Sequence, residues 1–508
     1  MGTSSLLAIL RTGMGWGLAG ILLAAAPPAV AEPAGGLSLV VVNDIDQMTS
    51  ETSRGGLDRV AALIAGERAS KENVLVVHAG DALSPSIMSS IDRGAHMVDL
   101  LNRIGLDIFV PGNHEFDFGK EVFLERMAAL DATKLAANLR DPEGAPIGGF
   151  EDHVIREISG VKVGILGVIG DRARIVSTTG DLVLSPTIQT AFEEARFLRS
   201  EGAEFIVAVV HDNISRDLLL ARSGAFDVVV SGDDHVLTVT YDGRSALVES
   251  REQGELIAIV DVTFDVGERN GSRTVSWEPS FRIVDTASVA PDPAISEQVQ
   301  TYLASLDAAL DEPICTLQAE LDSRRATVRT RESAFGNIVA DALLAATDAD
   351  VAITNGGSIR GDRVYPSGTP FTRRNLMTEL PFANTVVLVE ITGTDLVRAL
   401  ENGLSLVDSG SGRFPQIAGM DIEVDLARAS GSRVASVTIA GEPLEPGRLY
   451  RLATNDFLAR GGDGYSALRS SEIIIDARDG DLLVNVVADY LKGRPRFAPA
   501  TDGRIKLL

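Results

Sequence analysis

The feature that most constrains this chain is a series of short apolar runs, rich in β-branched residues, each followed by a polar loop. Six such runs occupy residues 39–42, 74–77, 108–110, 161–168, 205–210 and 228–230. Each run is short and apolar enough to form a buried strand, and helical patterns recur between the runs. This alternation predicts an α/β fold for the first half of the chain.

The first residues predict export from the cytoplasm. Arg11 precedes an apolar run at residues 16–26, and Ala29-Val30-Ala31 offers the small residues of a signal-peptidase site. We therefore expect a signal peptide at residues 1–31 and a periplasmic or secreted protein. A retained membrane anchor is the alternative, because the run with its flanks approaches the ~20 residues that span a bilayer. No later stretch is long enough to span, so we expect no stable membrane insertion.

Length, charge and cysteine content set further limits. The 508 residues are too many for one hydrophobic core and indicate about two domains. The only cysteine, Cys315, has no partner for an intramolecular disulfide. A formal net charge of -25 disfavours a surface for nucleic acid polymers, although a small anion could still be drawn to bound cations.

The pattern changes in the second half of the chain. After Pro291-Asp292-Pro293, residues 294–310 have apolar side chains at helical spacing. We interpret residues 36–290 as a first domain, 291–312 as a helical connector and 313–508 as a second domain.

Side chains that can bind a metal ion follow five of the six apolar runs. They are Asn43, Asp44 and Asp46; Asp81; Asn113; His211; and Asp233, Asp234 and His235. The carboxyl ends of strands are where sites assemble in open α/β sheets. Oxygen and imidazole ligands without cysteine suit Mn, Mg, Fe or Zn rather than a structural zinc knot. Two ions need a bridging carboxylate, and we assign that bridge to Asp81 as a hypothesis.

In this order and spacing, the motifs resemble those of the calcineurin-like metallophosphoesterases. The segment Gly112-Asn113-His114-Glu115-Phe116-Asp117 narrows the resemblance to the 5'-nucleotidase family, and residues 355–360 and 455–465 resemble segments of that family's C-terminal domain. The resemblance covers nearly all of the chain after the predicted signal peptide. It implies an N-terminal, four-layer α/β domain in which a β-sandwich is flanked by helices, followed by a smaller α/β substrate-binding domain.

The resemblance also implies the residues of the site. One metal ion would be held by Asp44, Asp81 and His235, and a second by Asp81, Asn113, His211 and the residue at Asp233. His114, oriented by Asp117, would be catalytic. In the second domain, the substrate-binding residues would be Asn355, Arg360 at the phosphate, Phe414 and Phe457 on either side of the base, and Asp463 at the sugar.

Two positions depart from the family pattern. Asp46 and Asp233 stand where the family usually has histidine, so each replaces a neutral imidazole by a carboxylate. Harder, more anionic ligands favour Mn or Mg, with Zn or Fe as alternatives. Asp46 could instead point away and leave its coordination position to water.

The function that the resemblance implies is hydrolysis of nucleotide 5'-phosphates by an exported enzyme with two divalent metal ions. Its partner would be a small-molecule nucleotide, and the protein would be a monomer or weak dimer. The enzymatic alternatives are hydrolysis of 2',3'-cyclic nucleotides or nucleotide sugars, and thiosulfate hydrolysis, against which Phe414 and Phe457 argue. The remaining alternative is a nucleotide receptor with a degraded metal site, against which retention of His114 and Asp117 argues.

Overall fold

The computed structural model describes residues 34–49 and 53–508. The predicted signal peptide therefore lies outside the described residues, and its cleavage or retention stays a prediction. Within the described part of the chain, no helix combines the length and apolar character needed to cross a bilayer.

The first half of the chain forms two mixed β-sheets that face each other. The seven-stranded sheet has the order Ser272–Asp285, Leu256–Arg269, Ala34–Val42, Val74–His78, Ile108–Phe109, Thr133–Leu135 and Phe150–Glu151. The six-stranded sheet has the order Thr238–Tyr241, Ala246–Glu249, Val228–Gly232, Phe205–His211, Val161–Ile169 and His153–Ile158. All six predicted runs lie on central parallel strands, apart from Val110, which follows its strand directly.

Alternating side chains hold the two sheets and their helices together. On strand Phe205–His211, Val207 and Val209 join the core between the sheets, whereas Ile206 and Ala208 face the helices on the other side. The helices outside the six-stranded sheet are Thr187–Ser200 and Ile214–Arg222, and those outside the seven-stranded sheet are Leu57–Ser70, Ala95–Ile104, Lys120–Ala129 and Pro293–Leu310. This gives the four layers that the family resemblance implied.

A glycine allows the two sheets to approach closely. A Cβ atom built at Gly167 would lie 2.5 Å from Leu135 Cβ and 2.7 Å from Val110 Cγ2. No side chain fits at this point of the interface, because protein interiors are already close-packed.

The second half is built around a five-stranded sheet with a core on each face. The order of this sheet is Pro415–Ala418, Val351–Asn355, Leu449–Asn455, Val386–Thr392 and Glu472–Ile475. One face packs on helices Ala334–Ala346 and Leu483–Lys492. The other packs on helix Gly393–Leu404 and on a four-stranded sheet of Glu442–Pro443, Val434–Ile439, Met420–Val424 and Ile505–Leu507. Cys315 is buried in the first of these cores.

Smaller elements complete the fold. A three-stranded sheet contains Pro370–Thr372, Pro313–Leu317 and Arg496–Phe497, and two-stranded pairs join Leu321–Asp322 to Val364–Tyr365 and Leu139–Arg140 to Val183–Leu184. The short helices are Ser89–Asp92, Ala173–Val176, Arg325–Val328, Arg373–Glu379 and Asp456–Ala459. The predicted α/β class is confirmed, and the boundaries at residues 290 and 313 stay a prediction.

The strand register aligns the loops that carry the candidate ligands. In the first sheet Val42 pairs with His78, which pairs with Phe109. In the second sheet His211 pairs with Gly232. Parallel neighbours that end at the same level send their following loops to one edge. The site is therefore assembled at the carboxyl ends of both sheets.

Candidate metal centre and nucleotide pocket

Three side chains from separate strand ends form the middle of the candidate metal centre. Potential ligand atoms of Asp44, Asp81 and His211 all lie within 4.8 Å of one another, and the three residues are buried. His211 Nε2 lies 3.1 Å from Asp81 Oδ2 and 3.3 Å from Asn113 Oδ1. Asp81 is thus within reach of both Asp44 and His211, as its predicted bridging role requires.

The loop after the sixth predicted strand adds two further side chains. His235 Nε2 lies 3.6 Å from Asp44 Oδ1, and Asp233 Oδ1 lies 3.7 Å from His211 Nε2. The backbone N–H of Asp233 donates to Asp44 Oδ2 at 3.1 Å. The structure therefore brings together the predicted ligands Asp44, Asp81, Asn113, His211, Asp233 and His235.

A cavity of about 320 Å³ opens beside this cluster. From the first half of the chain it is lined by Asp44, Asp46, Gln47, Asp81, Pro85, His114, His235 and Gln253. From the second half it is lined by Ala383, Thr385, Asp456, Arg460, Ala477, Arg478 and Leu482. Both halves therefore shape the space beside the candidate ligands.

Backbone strain is concentrated at these ligands. Asp44, Asp81, Asp233 and His235 have φ angles of 51°, 58°, 96° and 59°, a region that residues with side chains rarely adopt. Such conformations cost about 1–3 kcal/mol each and persist where a functional arrangement requires them. Four strained residues in one cluster therefore indicate a functional site rather than four unrelated turns.

The electrostatics of the cluster suit a cation. Burial raises the pKa of Asp233 to about 7 and that of Asp46 to about 6. Burial opposes the charging of His211, yet Asp81 outweighs it and holds the His211 pKa well above its usual range. Carboxylates crowded out of water need positive charge, and a donor set of carboxylate, amide and imidazole without thiolate fits a divalent ion. The residues present therefore fit the predicted ions.

Glu115 fixes the geometry of two of the loops. Its buried carboxylate accepts backbone N–H groups from Asp81 at 3.0 Å, Ala82 at 2.7 Å and Leu83 at 3.2 Å. It also accepts the N–H of Gly112 at 2.6 Å. Charge-assisted bonds of this kind are strong, so one side chain holds the loops after the second and third strands in register.

The predicted dyad is formed beside the metal centre. His114 Nδ1 lies 2.7 Å from Asp117 Oδ2, and Ser84 Oγ donates to the same oxygen at 2.5 Å. A carboxylate on Nδ1 keeps the proton there when the imidazole is neutral, and it favours the protonated imidazole. His114 Nε2 contacts the backbone carbonyl of Arg478 at 2.5 Å.

Arg478 also joins the two halves of the chain by its side chain. Its guanidinium donates to Asp234 Oδ1 at 2.6 Å and to the carbonyl of Asp233 at 3.3 Å. Arg172 lies 3.6 Å from the neighbouring Asp479. Cationic side chains thus balance some of the negative charge around the cavity from outside the cluster.

A second cavity of about 320 Å³ lies wholly in the second half of the chain. It is lined by Arg329, Asn355, Gly357, Ser358, Arg360, Phe382, Asn384, Gly412, Phe457 and Asp463. Asn355 donates to Asp463 Oδ2 at 2.8 Å. The cavity combines two arginines, hydrogen-bonding groups and two aromatic rings, a set suited to an anion attached to a planar group.

The position of Phe414 corrects one prediction. Its ring has no exposed surface and lies in a core cluster with Leu400 and Tyr465, so it cannot stack on a base in this structure. Phe457 is 40% exposed and lines the cavity, as does Phe382, which is 47% exposed. Phe414 precedes strand Pro415–Ala418 and points into the core under that strand, an orientation that the motif alone did not determine.

One short segment separates the two cavities. Phe382 and Asn384 line the second cavity, whereas Ala383 and Thr385 line the cavity beside the metal ligands. A single stretch of backbone, residues 382–385, therefore lies between the candidate nucleotide pocket and the candidate metal centre at this point.

Comparison with known proteins matches each half of the chain to a protein family. The family model for calcineurin-like phosphoesterases matches residues 37–237, and the model for the 5'-nucleotidase C-terminal domain matches residues 313–470. The chain belongs to the 5'-nucleotidase family. As a member, it is a metal-dependent phosphoric ester hydrolase with the two-domain order that the sequence predicted.

Individual members of the 5'-nucleotidase family match along most of the chain. The human 5'-nucleotidase is 26% identical, with 94% of this chain and 92% of the human protein covered. A crystal structure of a 5'-nucleotidase precursor from Thermus thermophilus is 28% identical and covers 93% of this chain and 99% of its own, with a TM-score of 0.55. The NAD nucleotidase of Haemophilus influenzae has a TM-score of 0.81 at 21% identity, covering 93% and 99%, and shows the same fold.

The structure adds site residues that the sequence did not reveal. Glu115 was only part of a motif, and its four bonds to backbone groups appear only in three dimensions. Arg329 lines the candidate nucleotide pocket, and its buried Nε has no hydrogen-bond partner among the described residues. Gln253, Arg478 and Phe382 lie outside the family motifs, so no local pattern marks them. Asp46 reaches the metal cavity, where Gln253 donates to its Oδ1 at 2.6 Å.

We expect Glu115→Gln to destabilise the first domain by roughly 1.5–3 kcal/mol, the usual worth of hydrogen bonds to a charged group. The amide would direct its N–H₂ group at backbone donors that now meet a carboxylate. The matched control is Glu121→Gln, because Glu121 is exposed in helix Lys120–Ala129. Urea unfolding measures both changes, and an equal, small loss in the two variants would contradict the role given to Glu115.

Proposed function

We propose that this protein is an exported 5'-nucleotidase that releases phosphate and a nucleoside from nucleotide 5'-phosphates, with two divalent metal ions at its active site. The observation that carries the proposal is the proximity of the buried ligand cluster around Asp81 to a pocket suited to a nucleotide. The predicted signal peptide at residues 1–31 supports a periplasmic or secreted location. Residues 36–290 and 313–508 would be the metal-binding and substrate-binding domains, in a monomer or weak dimer.

The proposed ligands fall into two sets that share Asp81. Asp44 and His235, with Asp46, would hold one ion, and Asn113, His211 and Asp233 would hold the other. The carboxylates at positions 46 and 233 make the site more anionic than the usual family pattern, which favours Mn or Mg over Zn or Fe. When bound, two such ions would activate water and neutralise charge on the phosphoryl oxygens.

The dyad His114–Asp117 would act on the leaving group. With its Nδ1 on Asp117, His114 would present Nε2 to the ribose oxygen and stabilise or protonate it as it leaves. Burial opposes the charging of His114, but Asp117 and Asp81 raise its pKa well above the usual range. A histidine that keeps its proton at neutral pH suits a general acid.

The second cavity would hold the nucleotide. Arg360 and Arg329 would meet phosphate, since guanidinium groups bind such oxygens in bidentate geometry. Asp463 would bind the sugar, with Asn355 orienting it. Phe457 and Phe382 would contact the base, and the Arg360 guanidinium lies 5.6 Å from the centroid of the Phe382 ring.

Turnover would require the two halves to rearrange. The wall around Ala383 separates the pocket from the metal cavity, and the carbonyl of Arg478 contacts the His114 Nε2 that the leaving oxygen needs. One helical connector, Pro293–Leu310, leads from the first half to the second, an arrangement compatible with hinge motion. Opening of the His114–Arg478 contact would therefore accompany delivery of the phosphate.

The proposal predicts that the purified protein with added Mn²⁺ releases phosphate from AMP faster than it hydrolyses 2',3'-cyclic AMP or UDP-glucose. Chelation should abolish the activity. His114→Ala should lower kcat by about 10²–10⁴-fold, the usual contribution of a positioned acid or base. Phosphate release is measured for each substrate under the same conditions.

The matched control for His114 is His153→Ala. His153 also pairs with a carboxylate, Glu194 at 2.7 Å, but does not line the metal cavity, so its replacement should leave kcat unchanged. A wild-type rate no higher than that of His114→Ala would instead indicate a nucleotide receptor. A preference for the cyclic nucleotide or the nucleotide sugar would reassign the substrate at the same metal centre.

The proposed contact between Phe382 and the base predicts that Phe382→Ala weakens binding only of substrates that carry a base. The KM for AMP should rise about tenfold, because stacking of a base on an aromatic ring is worth about 1–3 kcal/mol. The KM for ribose 5-phosphate, which has no base, should not change. Phe197→Ala is the control, since Phe197 is 48% exposed on helix Thr187–Ser200 and does not line the pocket. An equal rise for both substrates would rule out a contact with the base.

A further inference from the structure

Gln253 is a strained residue at the edge of the metal cavity. It lies in the short helical turn Glu252–Gly254 with φ of 56°, where a side chain is disfavoured and glycine is not. Its side chain lines the cavity with Asp46 and His114. A glutamine kept in this conformation beside a site suggests that its amide is needed there.

Both polar atoms of the Gln253 side chain form hydrogen bonds with the loop that carries Asp44 and Asp46. Nε2 donates to Asp46 Oδ1 at 2.6 Å, and Oε1 accepts the backbone N–H of Gln47 at 3.1 Å. The backbone N–H of Gln253 donates to the carbonyl of Asp44 at 2.8 Å. Three contacts from one residue therefore fix the segment 44–47 relative to the cavity.

These contacts leave one oxygen of Asp46 for a ligand. The amide of Gln253 takes up Oδ1, whereas Oδ2 meets no hydrogen-bond donor from residues 34–49 or 53–508. Asp46 is at the cavity wall with Asp44, Asp81 and His235. A neutral amide can orient a carboxylate without neutralising its charge, as a cationic side chain would. At metal sites, residues that hydrogen-bond to a ligand orient that ligand in the same way.

We propose that Gln253 is a positioning residue that makes Asp46 a metal ligand, so that the pair Gln253–Asp46 does the work of the imidazole found in most of the family. The inference rests on the proposed metal centre. It excludes the alternative in which Asp46 points away and water takes its coordination position. Gln253 acts by holding the Asp46 carboxylate with its Nε2, while its Oε1 holds the backbone of the next residue, Gln47.

The test is Mn²⁺ binding to the full-length chain, without substrate, by isothermal titration calorimetry and by electron paramagnetic resonance of free Mn²⁺. Gln253→Met removes the amide and keeps the length of the side chain. We expect wild type to bind two ions and Gln253→Met to bind one of them about tenfold more weakly, the lower end of the loss typical for residues that orient ligands. Unchanged affinity at both sites would overturn the proposal.

Two further variants separate the side chain from the backbone. Gln253→Gly relieves the positive φ while also removing the amide, so it should weaken Mn²⁺ binding as Gln253→Met does. Wild-type affinity in Gln253→Gly would mean that strain, not the lost amide, explains the Met variant, and would overturn the proposal. Thermal unfolding without metal establishes that each variant is folded.

A double-mutant cycle tests whether Gln253 acts through Asp46. In the background of Asp46→Asn, Gln253→Met should cause no further loss of affinity. The same loss with and without the Asp46 carboxylate would contradict the inference while leaving the proposed function intact. Failure of wild type to bind Mn²⁺ at all would instead overturn the proposed function, and the inference with it.

Discussion

The structure depends on keeping several carboxylates together out of water at one edge of two sheets. Asp44 and Asp81 are nearly completely buried and close to each other, where like charges repel strongly. The protein supplies imidazoles beside them, backbone N–H groups, and strained turns that hold the side chains in place. Such an arrangement is costly without a cation. The need for positive charge explains the loop geometry and the choice of residues at the strand ends.

The same constraint links the second domain to the first. The edge that carries the carboxylates is also the edge that the second domain covers, and Arg478 reaches it from there. Its guanidinium meets Asp234 while its carbonyl meets His114. One segment of the second half of the chain thus brings a cationic side chain to this edge and also contacts the predicted catalytic histidine.

Sequence reasoning succeeded where a local pattern has one structural outcome. Short runs such as residues 205–210 became buried strands, and their common ends brought Asp81 and His211 together as expected. It missed the hairpin Leu256–Arg269 and Ser272–Asp285, because the latter strand is long, polar and largely half-exposed, unlike a buried run. It misassigned Phe414, since a motif does not state which way a ring points. Gln253 and Phe382 reach their sites through distant loops, and no local pattern marks them.

Crystals grown in excess Mn²⁺, with anomalous scattering recorded at the manganese edge, test the central claim most directly. We expect two peaks about 3.5–4 Å apart, the spacing of two-metal sites, with the Asp81 carboxylate between them. A single peak away from Asp81, or no peak among these strand ends, would contradict it.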